Sequence, residues 1–198
     1  MARTFALAGM LLLLAGCGGA GEDQPPAPSP GGTSAPPPTA APSPTQAKPT
    51  PRAVVYAQGV SFGTKRRPFS TARKVVEDDA RAVFPDAPFE IDRNMECGAG
   101  PMEFSSFGPL TLNFQDDRLV GWLMKEGPGM VTSDGIRPGV TLAELRGERS
   151  VELLPDSSLD GEFRYTAPDG GTIGGFASGA GPDAVVTALF AGTNCFFR

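Results

Sequence analysis

Short apolar runs recur along this chain, several alternating with polar residues, and turn residues separate them. Leu110 to Phe114 alternates, Asp116-Asp117 makes a turn and Leu119 to Met124 returns, which predicts a β-hairpin. Ala53 to Tyr56 reads as an earlier strand. Four later runs, Ser150 to Leu154, Glu162 to Thr166, Thr172 to Phe176 and Ala184 to Phe190, also read as strands. Pro155-Asp156, Asp169-Gly170-Gly171 and Gly181-Pro182-Asp183 separate them as turns. Helical spacing shows in two places. Ser70 can cap a helix from Thr71 to about Phe84, with Val76, Ala80, Val83 and Phe84 inward and Pro85 as the stop. Arg73, Lys74, Glu77, Asp78 and Arg81 would line its wet face. Thr141-Leu142-Ala143-Glu144 fits a capping box, and Gly147 keeps the helix it opens short.

The order helix then strands occurs twice. It predicts an α+β domain with helices packed on antiparallel sheet, and it allows two degenerate halves, Leu110 to Met124 overlying Thr172 to Phe190.

The first fifty residues follow another pattern. Arg3 supplies a positive n-region and Phe5 to Leu14 a short apolar stretch, so residues 1–16 read as a signal peptide. That stretch falls short of the roughly 20 apolar residues needed to span a bilayer. Leu14-Ala15-Gly16-Cys17 follows at once. Residues 17–51 then hold eleven prolines between Pro25 and Pro51, with Ala, Ser, Thr and Gly and almost no apolar bulk. Such a segment buries too little surface to offset its ordering entropy and reads as a disordered linker. Residues 52–198 are left as one extracytoplasmic domain, long enough for a core.

Charge and composition remove several function classes. The net charge is −5 and no basic stripe is present, which argues against nucleic acid as a partner. Histidine is absent, so the most versatile acid–base group and the commonest metal ligand are missing. No metal site or cofactor motif is expected. The glycines at 174, 175, 179 and 181 precede no helix and fail the context of a phosphate-cradling loop.

The segment Leu14-Ala15-Gly16-Cys17 resembles the lipobox of bacterial lipoproteins. The resemblance implies cleavage before Cys17, lipid on its sulfur and a membrane-anchored protein facing the extracytoplasmic side, on an outer membrane if the cell has one. Gly139-Val140-Thr141-Leu142-Ala143-Glu144-Leu145 is similar to the helix openings of small envelope helix–sheet modules, among them BamE and the tandem modules of beta-lactamase inhibitory protein. Glu96-Cys97-Gly98, Leu119-Val120-Gly121-Trp122 and Ala191-Gly192-Thr193-Asn194-Cys195 resemble segments of actinobacterial lipoproteins, which implies location and no activity.

With Cys17 taken by lipid, Cys97 and Cys195 form an even pair in an oxidising compartment. A disulfide between them would contribute up to about 4–5 kcal/mol on the chain-entropy treatment. The acid pairs Asp78-Asp79 and Asp116-Asp117 read as solvated helix and turn residues rather than catalytic dyads. Lys65-Arg66-Arg67 is a compact basic knot that could meet anionic lipid or wall polymer, or be a solvated loop. Trp122 is a ligand platform or, on an amphipathic strand, a core residue. Together these features predict a non-catalytic protein-interaction or binding module of the cell envelope. Capture of a small ligand or anionic wall polymer through Trp122, Lys65, Arg66 and Arg67 is the alternative, with a carboxylate-based hydrolase behind it.

Overall fold

Ala53–Tyr56 (β1) and Gly59–Phe62 (β2) are apolar runs joined by the two-residue turn Ala57-Gln58, so they pair as an antiparallel hairpin. Lys65–Pro68 (β3) continues the meander against β2. This is a computed structural model, and it describes residues 51–196. They lie in the second of two units, Met1–Thr45 and Gln46–Arg198. The expected signal peptide, Cys17 and all of the linker before Pro51 fall outside the described residues.

The helix Arg73–Val83 (α1) follows, and then four strands run as an uninterrupted meander: Phe89–Asn94 (β4), Met102–Phe107 (β5), Leu110–Gln115 (β6) and Arg118–Lys125 (β7). Asp116 and Asp117 both take positive φ, 48° and 54°, in the two-residue β6–β7 turn, a conformation Asp tolerates better than most residues. The second passage repeats the plan. Met130–Thr132 (β8) lies parallel to β1, and Leu142–Glu148 (α2) comes next. Val151–Leu153 (β9), Glu162–Thr166 (β10), Thr172–Ala177 (β11) and Val186–Gly192 (β12) form a second meander.

The strands assemble into a four-stranded sheet, β3-β2-β1-β8, and an eight-stranded sheet, β4-β5-β6-β7-β12-β11-β10-β9. The larger order is a palindrome of the two meanders, joined by the antiparallel β7–β12 seam. One hydrophobic cluster binds both sheets and both helices. Val55, Val60 and Phe62 come from the small sheet, Leu112, Trp122, Ile173 and Leu189 from the large one, Val76 and Ala80 from α1, and Leu142 and Leu145 from α2. The helices and the small sheet therefore all cover the same face of the large sheet.

Sequence and structure differ in proportion. The fold is mostly β: the helices have 11 and 7 residues, against twelve strands, so the expected α+β domain is a two-sheet β structure carrying two short helices. Ser70 does not cap α1. It takes φ 71°, and the N-cap is Ala72, without a side-chain hydrogen bond. The helix start is tied instead to the β6–β7 turn, through Ser70 N donating to Leu119 O at 2.7 Å and Arg73 N to Asp117 O at 2.8 Å. The α2 capping box is present as expected. Thr141 N donates to Glu144 Oε2 at 2.8 Å, and Glu144 N donates to Thr141 Oγ1 at 3.2 Å.

Candidate functional site

The basic knot is an edge strand rather than a loop. Lys65 and Arg67, two apart on β3, point to one side and clasp Asp79 of α1 at 2.8 and 2.7 Å. Arg66 points the other way and stacks over the Tyr56 ring at 4.1 Å. Asp79, read from sequence as solvated, is thus buried. Burial alone would raise its pKa, but the hydrogen bonds and charges of Lys65 and Arg67 outweigh it and hold the carboxyl below its ordinary value. Arg73 and Glu77 also leave the expected wet face. They form an ion pair with each other, and Arg73 reaches Glu103 and Ser105 of β5.

Trp122 takes the core alternative. It is fully buried, and its indole N–H donates to Tyr56 O at 2.7 Å, tying the large sheet to the small one. A ring with no exposed face is no ligand platform, and this corrects the binding reading of Trp122. Cys97 and Cys195 do form a disulfide, with Cα atoms 5.6 Å apart.

The large sheet's other face was not legible from any motif. Register places Glu90, Ser106, Thr111, Leu123, Phe190, Gly174, Arg164 and Glu152 in one cross-strand row from β4 to β9. Residues directly opposite in antiparallel strands share a face, and none of these eight belongs to the core cluster. Only Gly174 is fully buried among them. The apolar residues Phe104, Leu123, Phe176 and Phe190 on this side are likewise half-buried and outside the core.

What crosses this face is the tail after β12. Thr193 N donates to Val120 O at 2.8 Å, and Asn113 Nδ2, projecting from β6, donates to Thr193 O at 3.0 Å and Asn194 Oδ1 at 2.7 Å. Gly121 lies directly beneath, where any Cβ would collide with the Thr193 carbonyl. Asn94 Nδ2 donates to Cys195 Sγ at 3.3 Å, and the disulfide fixes the tail to the β4–β5 loop. Phe196 is thereby carried to the β11–β12 side. Its ring meets Phe176 and Phe190 edge-on at 4.9 and 4.8 Å, and those two rings are 5.1 Å apart. Gly174 matters here, because the Phe190 ring occupies the place its Cβ would take.

Three hollows touch this triad, one of them, about 260 Å³, beside the disulfide and lined by Cys97, Phe190, Cys195 and Phe196. A second, of about 460 Å³, is lined by Leu159, Asp160, Phe176, Cys195 and Phe196. The third, about 240 Å³, includes Leu154, Arg164, Thr172, Gly174 and Phe190. Arg164 holds Glu152 through two hydrogen bonds at 2.9 and 2.8 Å, which lowers the Glu152 pKa.

Three carboxylates have displaced pKa values among the described residues, Asp79, Glu144 and Glu152, and all three are lowered; for Glu144 the leading cause is the Thr141 backbone N–H. Asp116 and Asp117 are exposed turn residues. No group of three or more acidic, histidine or cysteine side chains suited to a metal occurs among the described residues, and no described helix is long and apolar enough to cross a membrane. No protein family, curated protein or solved structure matches this chain.

Proposed function

We propose that this chain is a membrane-anchored extracytoplasmic lipoprotein whose domain is a non-catalytic protein-interaction module, and that the face of the eight-stranded sheet turned away from the core, with the tail that crosses it, is its contact surface. One observation carries the reading: an eight-residue row crosses the whole sheet outside the core and passes through Leu123 and Phe190 beside a three-ring cluster. Half-buried apolar groups on a broad face covered by no helix or second sheet are what a partner can desolvate further. The palindromic strand order supports the expected tandem-module resemblance, each meander having its own short strand and helix. The tail that a disulfide and Asn113 hold across the face supplies rigidity, which lowers the entropy cost of binding. Ligand capture by Trp122 with the basic knot has no support, since the ring is buried and two of the three bases are engaged by Asp79.

A photo-crosslinking amino acid placed at Leu123 or Phe190, and at Val75 of α1 as a control, tests this in envelope preparations. Val75 is 42% exposed, so it samples solvent from the opposite side of the domain. The expected result is one protein captured near stoichiometry from the sheet positions and not from Val75. Equal capture from all three positions would overturn the assignment of the face.

A further inference from the structure

The half of the domain that carries the triad has a one-sided charge. From Val151 onward there are six acids, Glu152, Asp156, Asp160, Glu162, Asp169 and Asp183, against two bases, Arg164 and Arg198. Most of the chain's excess negative charge, −5 overall, therefore lies in this stretch. Arg164 is committed to Glu152. The β9–β10 and β11–β12 loops meet beside the large hollow, with Asp160 and Ala180 lining one shared pocket. These loops hold Asp156, Asp160 and Asp183, all exposed, and none of the three forms an ion pair among the described residues. The hollow is apolar on its walls, being made by Phe176, Phe196 and Leu159, and its one carboxylate is Asp160 of the β9–β10 loop. Other exposed apolar residues lack this arrangement: Ile91 and Met95 stand among both signs of charge, Asp92, Arg93 and Glu96.

We propose that this hollow receives a large apolar side chain from a loop of the partner protein, and that lysine or arginine residues flank that side chain. The inference rests on the protein-interaction reading and adds the chemistry of the contact. An aromatic-walled depression is suited to an anchor residue, and desolvation there supplies the binding energy. Asp160 in the hollow, with the net negative charge of the stretch from Val151 onward, attracts bases during approach and disfavours acidic competitors. A protein loop fits better than a free small molecule, because the hollow is shallow and wide and presents one charged group, where a small-ligand site encloses its ligand and orients it with several polar groups.

The test uses the full-length oxidised protein in nanodiscs and fluorescein-labelled cyclic peptides read by anisotropy. One peptide has a central phenylalanine flanked by lysine and arginine. A second replaces the bases by glutamate, and a third replaces the phenylalanine by alanine. Only the first should bind well, and its affinity should fall as salt rises. Phe196→Ala should weaken it about thirtyfold, as for an interface anchor. Asp156→Asn, Asp160→Asn and Asp183→Asn should each weaken it about two- to fivefold, as for exposed charge pairs. Leu159→Ala provides a second wall variant in case Phe196→Ala alters the urea midpoint. Equal binding of the basic and acidic peptides, or of the phenylalanine and alanine peptides, would overturn the proposal. If selectivity fails while Leu123 and Phe190 still crosslink one protein, the contact chemistry is wrong and the interaction face stands. If the crosslinks vanish too, the interaction reading falls with it.

Discussion

Replacing both Cys97 and Cys195 by alanine removes a single covalent link, and the structure gives the size of the effect. The linked residues are 98 apart in sequence. For a loop of about a hundred residues the entropy removed from the unfolded chain corresponds to about 4.7 kcal/mol at 25 °C. In the folded protein the tail keeps other attachments, namely Asn113 to Thr193 and Asn194, and Thr193 to Val120. The loss should therefore arise mainly in the unfolded state, and it should reach about 4–5 kcal/mol. Urea unfolding followed by Trp122 fluorescence should show a midpoint about 2 M lower, since slopes for domains of this size are about 2 kcal/mol/M. Melting should fall by about 10–15 °C. The slope itself should rise, because an unlinked unfolded chain exposes more surface. A loss below about 1 kcal/mol, or a full loss with an unchanged slope, would refute the unfolded-state account.

Three further outcomes follow from the packing. Asp79→Asn should cost about 2–3 kcal/mol, less than the usual loss for breaking a fully buried pair, because Lys65 stays 60% exposed. The Asp79 pKa is depressed in the fold, so its stabilisation is fully present above the unfolded value near 4 and is lost as pH falls through the folded one; the gap between wild type and variant in urea melts should narrow as pH is lowered below that unfolded value. Trp122→Phe should cost about 2–4 kcal/mol in urea melts followed by circular dichroism, since it opens a cavity and removes the indole donor to the Tyr56 carbonyl. Gly121→Ala should push the tail off the sheet, seen as faster amide exchange at Thr193 with little change in α1; unchanged exchange there would contradict the close approach.

Strands whose outer and inner residues differ in polarity were legible in the sequence. The β6–β7 hairpin and β10 to β12 fall close to where alternation and turn residues place them, because one side of each packs on the core. The charged edge strands β3 and β4 were not. Lys65 to Arg67 in β3 read as a basic knot or a solvated loop, and Glu90, Asp92 and Arg93 leave β4 without the apolar alternation of a strand, since charge is how an edge is kept from pairing with another chain. The Ser70 cap failed for a related reason. Local chemistry offered a side-chain oxygen, but residues 70–72 were already held by Leu119 and Asp117, which are distant in sequence. Of the candidate residues, the Cys97–Cys195 pairing could be read from number and compartment alone. The sheet face could not, because it depends on register across eight strands and has no local motif. Trp122 shows the limit: its strand position was evident, yet only the second sheet, arriving through Tyr56, determines that both ring faces are buried.

The palindromic strand order also constrains the sequence of events in synthesis. β12 is the last of the twelve strands to be made, yet it lies in the middle of the large sheet, between β7 and β11. Until it emerges, β4 to β7 and β9 to β11 share no seam within the large sheet, and strand pairing joins the two passages only in the small sheet, through the parallel β1–β8 pair. A nascent chain that stops short of Val186 lacks both the seam and Cys195. Such a chain keeps the β1–β8 pairing between its two passages and leaves β7 and β11 as bare edges of the large sheet.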